Sequence, residues 1–491
     1  MNIISTIENI CNPSRWGLPK EAVENLATRL RGIWLRFHNF FRPQQKDTSE
    51  HAYVYMRGLL TMDTERNYAN IARRVNGIED DGQNLQQFMS DSPWEVVPVF
   101  KQIQSEVSQR PELAGGILIL DESGDKRAGT KSAGASRQYL GRLGKVDLGQ
   151  VGVVLGYVVG SIWMMLDARI YLPKNWFTEP YRYRHQSLHI PDNCRFRTKK
   201  KLGLEMILSA QVPFEVVAFD SGYGDDHWFR IHLERAHLVY MAEIRTHIKV
   251  YLHRPVLAVP PTPATGHRGP RFSRRRVVSD ERSIPVTEAI HHMQFQNVTV
   301  RHTERGLLEF SCAALRVWIV TKEGYLLEET LFVRVESDGI YKFALSNAPT
   351  DTPLEKLAYW QSARYFVERT IQDAKSEAGW DELTAGKYRA WMHHAALTAL
   401  VLWFAAETKL DWKQLFPRDS SLASQMGVEV LPALSMSNIR ELLKAALPLK
   451  QLSPSQARRL VVKHLISRTR SIRSRLKAHY ARKSINTVLR I

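Results

Sequence analysis

The most constraining stretch of the sequence is Gly116-Ile117-Leu118-Ile119-Leu120, an unbroken apolar run that ends at once on an ionisable residue, Asp121. A strand with one face in water alternates apolar and polar residues, whereas a continuous run is expected of a strand buried on both faces. Two further strand-like runs follow, Val151 to Val159 and Ile162 to Leu172. A helical pattern then covers Lys200 to Ala210, and a fourth strand Phe214 to Phe219, which ends on Asp220. Asp225 to Ala236 reads as helix and His237 to Ile244 as a fifth strand.

Three meandering strands, then helix, strand, helix, strand, is the order of an RNase H-like α/β fold, although several α/β folds begin similarly. Residues 1–110 read as a helical N-terminal region, with 111–245 as the first part of the α/β domain. In the N-terminal region Asn67 to Val75 is a basic amphipathic helix stopped by Asn76-Gly77, and a second helical pattern spans Gln83 to Met89. Two short helices around a polar turn suit either a DNA-reading helix-turn-helix or an ordinary helical bundle. Residues 246–350 read as a β-rich insertion. It opens on a Pro-rich basic stretch holding Arg268, Arg271 and the run Arg274, Arg275, Arg276, and continues with strand patterns at Leu307 to Thr321, Glu329 to Glu336 and Ile340 to Leu345. Helix resumes with Thr352 as N-cap, Pro353 at the first helical position and Glu355 completing a capping box, and runs to Gly379. Residues 351–410 complete the α/β domain, and 411–491 form a basic C-terminal region. From Leu452 to Ile491 that region has eleven Lys/Arg and no acid, so a helical DNA-binding tail competes with a flexible solubilising one.

The charge narrows the partner. With 68 Lys+Arg against 50 Asp+Glu the net charge is +18, which favours a polyanion, nucleic acid before an acidic membrane surface. No basic segment followed by an apolar one opens the chain, and the most apolar run, Ala395 to Ala406, is too short to span a bilayer. Cys11, Cys194 and Cys312 make neither a disulfide framework nor a zinc spacing. The expectation is a cytoplasmic protein whose metals, if any, are held by oxygen.

Asp121 and Asp220 each follow a buried strand, at the sheet edge where α/β folds bind ligands. Two carboxylates on adjacent strand ends suit a hard divalent cation such as Mg²⁺; taken singly, each is as well read as a loop or capping aspartate. On the helix after Thr352, Arg364, Glu368, Gln372 and Lys375 fall on one stripe beside an apolar one of Val367, Ile371, Ala374 and Ala378. That stripe is either a carboxylate flanked by two cations for a purpose, or a solvated salt-bridge face.

The segment from Asp121 through Glu122, Asp125 and Arg137-Gln138-Tyr139 to Gln150-Val151-Gly152-Val153 closely resembles the DDE superfamily endonucleases of bacterial insertion sequences. Ala218-Phe219-Asp220-Ser221-Gly222-Tyr223-Gly224 resembles their second-aspartate segment, and Phe88 to Trp94 their amino-terminal region. Arg364, Glu368 and Lys375 keep the spacing of the third-carboxylate signature, with Gln361 where the family has Tyr. The resemblance implies a transposase in which Asp121, Asp220 and Glu368 hold two Mg²⁺ or Mn²⁺ ions, cut the element's ends and join them to target DNA. It implies phosphate contacts from Arg364 and Lys375, double-stranded DNA as partner, and a homodimer on DNA. Trp318, in the insertion, is a candidate for holding an extruded base, against the plainer reading of a strand-core tryptophan. Arg274, Arg275, Arg276, Arg470 and Arg473 are candidate DNA contacts. An RNase H-like nuclease without strand transfer, and a domesticated DNA-binding protein, are the alternatives.

Overall fold

The computed structural model describes residues 9–43, 47–260, 273–303 and 306–488. Arg268 and Arg271 lie outside the described residues. The frame is a ten-stranded mixed sheet. Its strands are β1 (Gly116–Lys126), β2 (Ser136–Leu140), β3 (Lys145–Val159), β4 (Ile162–Ile170), β5 (Phe214–Phe219), β6 (Tyr240–Ile244), β7 (Gln296–Thr303), β8 (Gly306–Val320), β9 (Leu326–Val335) and β10 (Tyr341–Ser346). The order is β7-β8-β9-β10-β6-β5-β1-β3-β2, with β4 also on β3. β1 pairs antiparallel with β3 and parallel with β5, and β5 pairs parallel with β6.

The helices before the sheet are α1 (Leu26–Phe37), α2 (Ser49–Thr61), α3 (Tyr68–Val75), α4 (Gln83–Ser90) and α5 (Val96–Ser108). Between β4 and β6 lie α6 (Lys199–Leu208) and α7 (His227–Arg235). After β10 come α8 (Leu354–Ala363), α9 (Tyr365–Ser376), α10 (Tyr388–Leu415), α11 (Met436–Ala446) and α12 (Pro454–Val488).

The apolar run of β1 is buried on both faces, as its composition requires. Leu118 and Leu120 join one core with Leu202 of α6, Phe229 of α7 and the apolar length of α10. Ile117 and Ile119 join a second core with Leu357, Ala358 and Trp360 of α8 and Phe366 and Val367 of α9. Because side chains alternate along a strand, this division decides which helix each later residue of β1 meets.

Helix α10 is buried almost all round through Ala406, between the sheet and the amino-terminal helices. No helix among the described residues is long and apolar enough to cross a membrane. Helices α3 and α4 bury Ile71, Val75, Leu85, Phe88 and Met89 in the core they share with α10 and the sheet. The amino-terminal helices therefore have no core of their own, and α3 and α4 are members of a bundle, with Gln83, Asn84, Gln86 and Gln87 of α4 left exposed.

Three expectations are corrected. β1 does not stop at Asp121 but continues to Lys126 along β3; what stops at Leu120 is its parallel pairing with β5. Residues 296–346 are rich in strand, and β10 pairs with β6 and carries the same sheet outward. The helix expected from Thr352 to Gly379 is two helices broken at Arg364. Thr352 does not cap it: Pro353, extended at ψ 145°, is the boundary residue, with no side-chain cap.

The outer strands are tied to the inner ones by charge. Arg230 of α7 and Glu329 of β9, both fully buried, pair at 2.9 Å. The Tyr240 hydroxyl of β6 donates to the same carboxylate at 2.5 Å, and Arg230 donates to the carbonyl of Gly224 in the turn after Asp220. A buried pair of this kind is costly to break, because either partner alone is a buried unpaired charge.

His394 of α10 is a second buried tie. Its Nδ1 accepts from the Tyr55 hydroxyl of α2 at 2.8 Å, and its Nε2–H faces the Trp380 carbonyl at 3.1 Å, an arrangement that needs the neutral ring. Burial holds its pKa down to about 4. In the unfolded chain the same ring takes a proton near pH ~6.5. Between these values the unfolded state binds more protons, so the stability from this group is complete above pH ~6.5 and is lost as the pH falls toward 4. His394→Gln is expected to flatten the dependence of unfolding free energy on pH in that window by up to ~1.4 kcal/mol per pH unit, read by urea melts. An unchanged slope would contradict it.

Candidate active site

The three adjacent parallel strands β1, β5 and β6 present one row of carboxylates. Leu120 is level with Phe219, and Phe219 with Ala242, so the residues that follow each, Asp121, Asp220 and Glu243, are level too. They also share a face. Ile119, Ala218 and Met241 point into the core under α8 and α9, and Asp121, Asp220 and Glu243 stand two residues on from each. The strands are ~4.8 Å apart, so three acids are crowded at one sheet edge.

Each has local reasons to be there. Asp121 Oδ1 accepts from the Glu122 N–H at 2.7 Å. Asp220 caps the short turn Ser221–Gly224, its Oδ1 accepting from the Gly222 N–H at 3.0 Å while its carbonyl accepts from Gly224. Gly224 is required there, since a side chain would run into the Glu243 carbonyl.

Arg364, at the break between α8 and α9, lies over the row. Its Nε is 2.7 Å from Glu243, an Nη is 3.9 Å from Asp121, and the other Nη is 3.2 Å from Glu368 on the next helical turn. Burial works against its charge, but Glu243, Asp121, Glu368 and Asp220 outweigh it and raise its pKa. One cation does not balance the row. Burial, and then repulsion from Asp220, push the Asp121 carboxyl up to about 7. Burial likewise raises Asp220, against the pull of Arg364 and the turn N–H groups.

Strand alternation separates the neighbouring acids. Asp125 lies on the Asp121 face and pairs with Lys375 of α9 at 2.6 Å. Glu122 faces the other way, paired with Lys199 at the start of α6 and accepting from the Tyr223 hydroxyl at 3.2 Å. Of the candidates, then, Asp121, Asp220, Glu368 and Arg364 are brought together, with Lys375 along the same strand. Among the described residues no group of three or more His, Cys, Asp or Glu side chains could hold a metal ion as placed; Glu368 and Glu243 are both turned to Arg364. The aspartate pair itself fits a hard divalent cation: oxygen donors, level, partly desolvated and short of positive charge.

Other candidates lie elsewhere. Trp318 stands four residues past Ala314, which is level with Glu243 through Phe332 and Ala344. That places it roughly 13 Å down the sheet and three strands across, away from the acids. Its backbone exchanges hydrogen bonds with Tyr251, and its indole N–H is buried without a partner. Arg274, Arg275 and Arg276 are exposed beside the β8–β9 turn, at the end of the sheet away from the acids. Arg470 and Arg473 are exposed on α12.

Glu243 and Lys199 are additions that sequence reasoning passed over. The signal for Glu243 was a single acid inside the otherwise apolar strand Tyr240-Met241-Ala242-Glu243-Ile244.

The family model described as DDE superfamily endonuclease matches residues 36–307, from α1 into β8. The chain belongs to the DDE superfamily endonucleases. The match covers both aspartates of the row and ends before α8 and α9, so it does not reach Glu368 and Arg364. A relative of this DDE-family chain is the probable transposase for insertion sequence element IS701 of Microchaete diplosiphon. The two are 26% identical over 348 residues, which cover 69% of this chain and 78% of the relative.

Crowded, partly buried acids destabilise the fold that holds them. In metal-free buffer at neutral pH, Asp121→Asn is expected to be more stable than the parent by up to a few kcal/mol, because the amide removes one like charge. A melting temperature equal to or below the parent's would contradict the crowding.

Proposed function

We propose that this DDE endonuclease is the transposase of an insertion sequence, cutting DNA at the element's ends and joining the ends to a target. The observation that carries the reading is the level pair Asp121 and Asp220 on adjacent parallel strands, with Glu368 and Arg364 over it. The relative's description as a probable transposase supports it. The order β4-β3-β1-β5-β6, three antiparallel strands then two parallel ones, supports an RNase H-like catalytic domain, assembled from residues 111–245 and 351–410 with 246–350 between.

In this reading Asp121, Asp220 and Glu368 would hold Mg²⁺ or Mn²⁺. Bound metal supplies activation of the attacking oxygen and neutralisation of the leaving one. The chain's own groups do the rest. Arg364 is poised to exchange its carboxylates for a DNA phosphate, which its planar guanidinium grips as a fork. Lys375, held by Asp125, puts a second cation further along β1. Lys199, Lys200 and Lys201 at the start of α6, with Arg195 and Arg197 just before them, make the flank beside Glu122 strongly basic. The exposed basic face of α12, including Arg470 and Arg473, suits sequence-independent contact with more distant phosphates. DNA bound between two such chains, as a homodimer, is the assembly we propose.

The test is cleavage and strand transfer on duplexes carrying the element's ends. Mg²⁺ or Mn²⁺ is expected to support both and EDTA to abolish both. Asp121→Asn, Asp220→Asn and Glu368→Gln should each lower cutting at least a hundredfold while duplex binding persists. Glu122→Gln should be far milder. Full cutting in EDTA, or by any of the three amide variants, would overturn the assignment. Cutting without joining would reduce it to a nuclease.

A further inference from the structure

Past the row of carboxylates the sheet narrows to a ribbon. β1 ends at Lys126, level with Gly149, and β4 pairs with β3 only as far as Gly152. Beyond Gly149, residues 145–148 of β3 therefore have only residues 137–140 of β2 beside them, closed by the turn Gly141 to Gly144. One face of this ribbon is anchored. Leu140 is buried over Gly149 and Gly124, where a Cβ would come within 2.7 and 2.9 Å of its side chain. The other face is bare. Tyr139 is 59% exposed and Val146, directly opposite it, 53%, with Arg137 exposed beside them. Leu143 in the turn is exposed as well. Residues 136–148 hold three cations, Arg137, Arg142 and Lys145, against one acid, Asp147. Asp147 lies 3.3 Å from Lys126 on the anchored face, and Arg142 lies 3.3 Å from Asp381. An uncovered group of apolar side chains among cations is an interaction surface, and its charge suits a polyanion.

Shape narrows the partner to duplex DNA. A two-stranded β-ribbon fits the major groove, where an arginine takes the O6 and N7 of guanine and apolar side chains take the thymine methyl. Phosphates offer nothing to Tyr139 or Val146, so this face suits base edges rather than the DNA backbone.

Register gives the distance. Gln150 is level with Asp125, on the face of Asp121. Leu148 and Val146 follow it on that face, opposite Arg137 and Tyr139. Arg137 and Tyr139 thus stand six and eight residues past Asp121, about 20 and 26 Å along the strands. At 3.4 Å per base pair, that is roughly six to eight base pairs from a bond held at Asp121.

We propose that the β2–β3 ribbon enters the major groove of the element's own end, roughly six to eight base pairs from the cut, and that Arg137 reads guanine there. The inference rests on the proposed function, which puts the cut at Asp121. The element's end is the occupant because its sequence is the same at every insertion, whereas flanking and target DNA change. A side chain that reads bases needs a constant sequence to read.

The experiment binds the parent chain to element-end duplexes randomised from the third to the tenth base pair inside the cut, and sequences the bound fraction. Guanine is expected to be enriched roughly tenfold at one position in this window. Arg137→Gln should lose guanine at that position alone and favour adenine there, a switch that a damaged fold would not produce. Replacing that guanine by 7-deazaguanine, which lacks N7, should weaken binding of the unaltered chain roughly fivefold or more. No preference in the window, a guanine preference that survives Arg137→Gln, or indifference to 7-deazaguanine would each overturn the inference. So would a preference confined to the target, read by sequencing joined products. Cutting of the same duplexes is scored separately. A chain that cuts and joins without these preferences loses the ribbon's role and keeps the proposed function. A chain that binds with them and never cuts keeps the ribbon as a reader and loses the transposase.

Discussion

Crowding of like charge at the end of a parallel strand pair is the constraint around which the rest of this chain is arranged. Asp121 and Asp220 must be level, because Leu120 and Phe219 are paired in register, and they must face the same way, because strand alternation leaves no choice. Taking two carboxylates partly out of water side by side is unfavourable, as the raised pKa of each records. The surrounding structure offsets this only in part, with the turn N–H groups on Asp220 and with Arg364. The proposed cation, with the phosphates it attracts, would offset the rest.

The packing explains why the arrangement holds its shape. The same alternation that sends Ile117 and Ile119 toward α8 and α9 brings Asp121 to Arg364 and Asp125 to Lys375. The opposite parity sends Leu118 and Leu120 toward α6 and α10, and Glu122 to Lys199. One strand thus feeds two differently charged surfaces. The turn after Asp220 is fixed from behind by Arg230, whose buried partner Glu329 comes from an outer strand of the sheet. Through that pair β9 helps to hold the carboxylate edge.

Much of this was legible in the sequence, and the reasons are physical. A doubly buried strand announces itself by an unbroken apolar run, so the start of β1 and the aspartate that ends its apolar run could be found, as could β5 and Asp220. The stripe through Arg364, Glu368 and Lys375 follows from helical periodicity. What failed was whatever depends on partners distant in the chain. The capping pattern at Thr352 and Glu355 was a sound local signal, but Pro353 takes the boundary and the helix breaks at Arg364, which sits against Glu243, about 120 residues earlier. Trp318 was attractive by residue type, yet the strand register carries it away from the acids. Glu243 was passed over because an isolated acid in a short strand means little until β5 and β6 are known to be parallel neighbours.

The most direct measurement of the central claim is the melting temperature of the chain as Mg²⁺ or Mn²⁺ is added. A cation that binds only the folded state stabilises it in proportion to the logarithm of its concentration above Kd. The parent chain is expected to melt higher with each tenfold increase in metal. Asp121→Asn and Asp220→Asn are expected to start higher in EDTA and to respond little. A parent chain indifferent to both metals, or amide variants that gain as much from them as the parent does, would contradict the reading of Asp121 and Asp220 as a cation site.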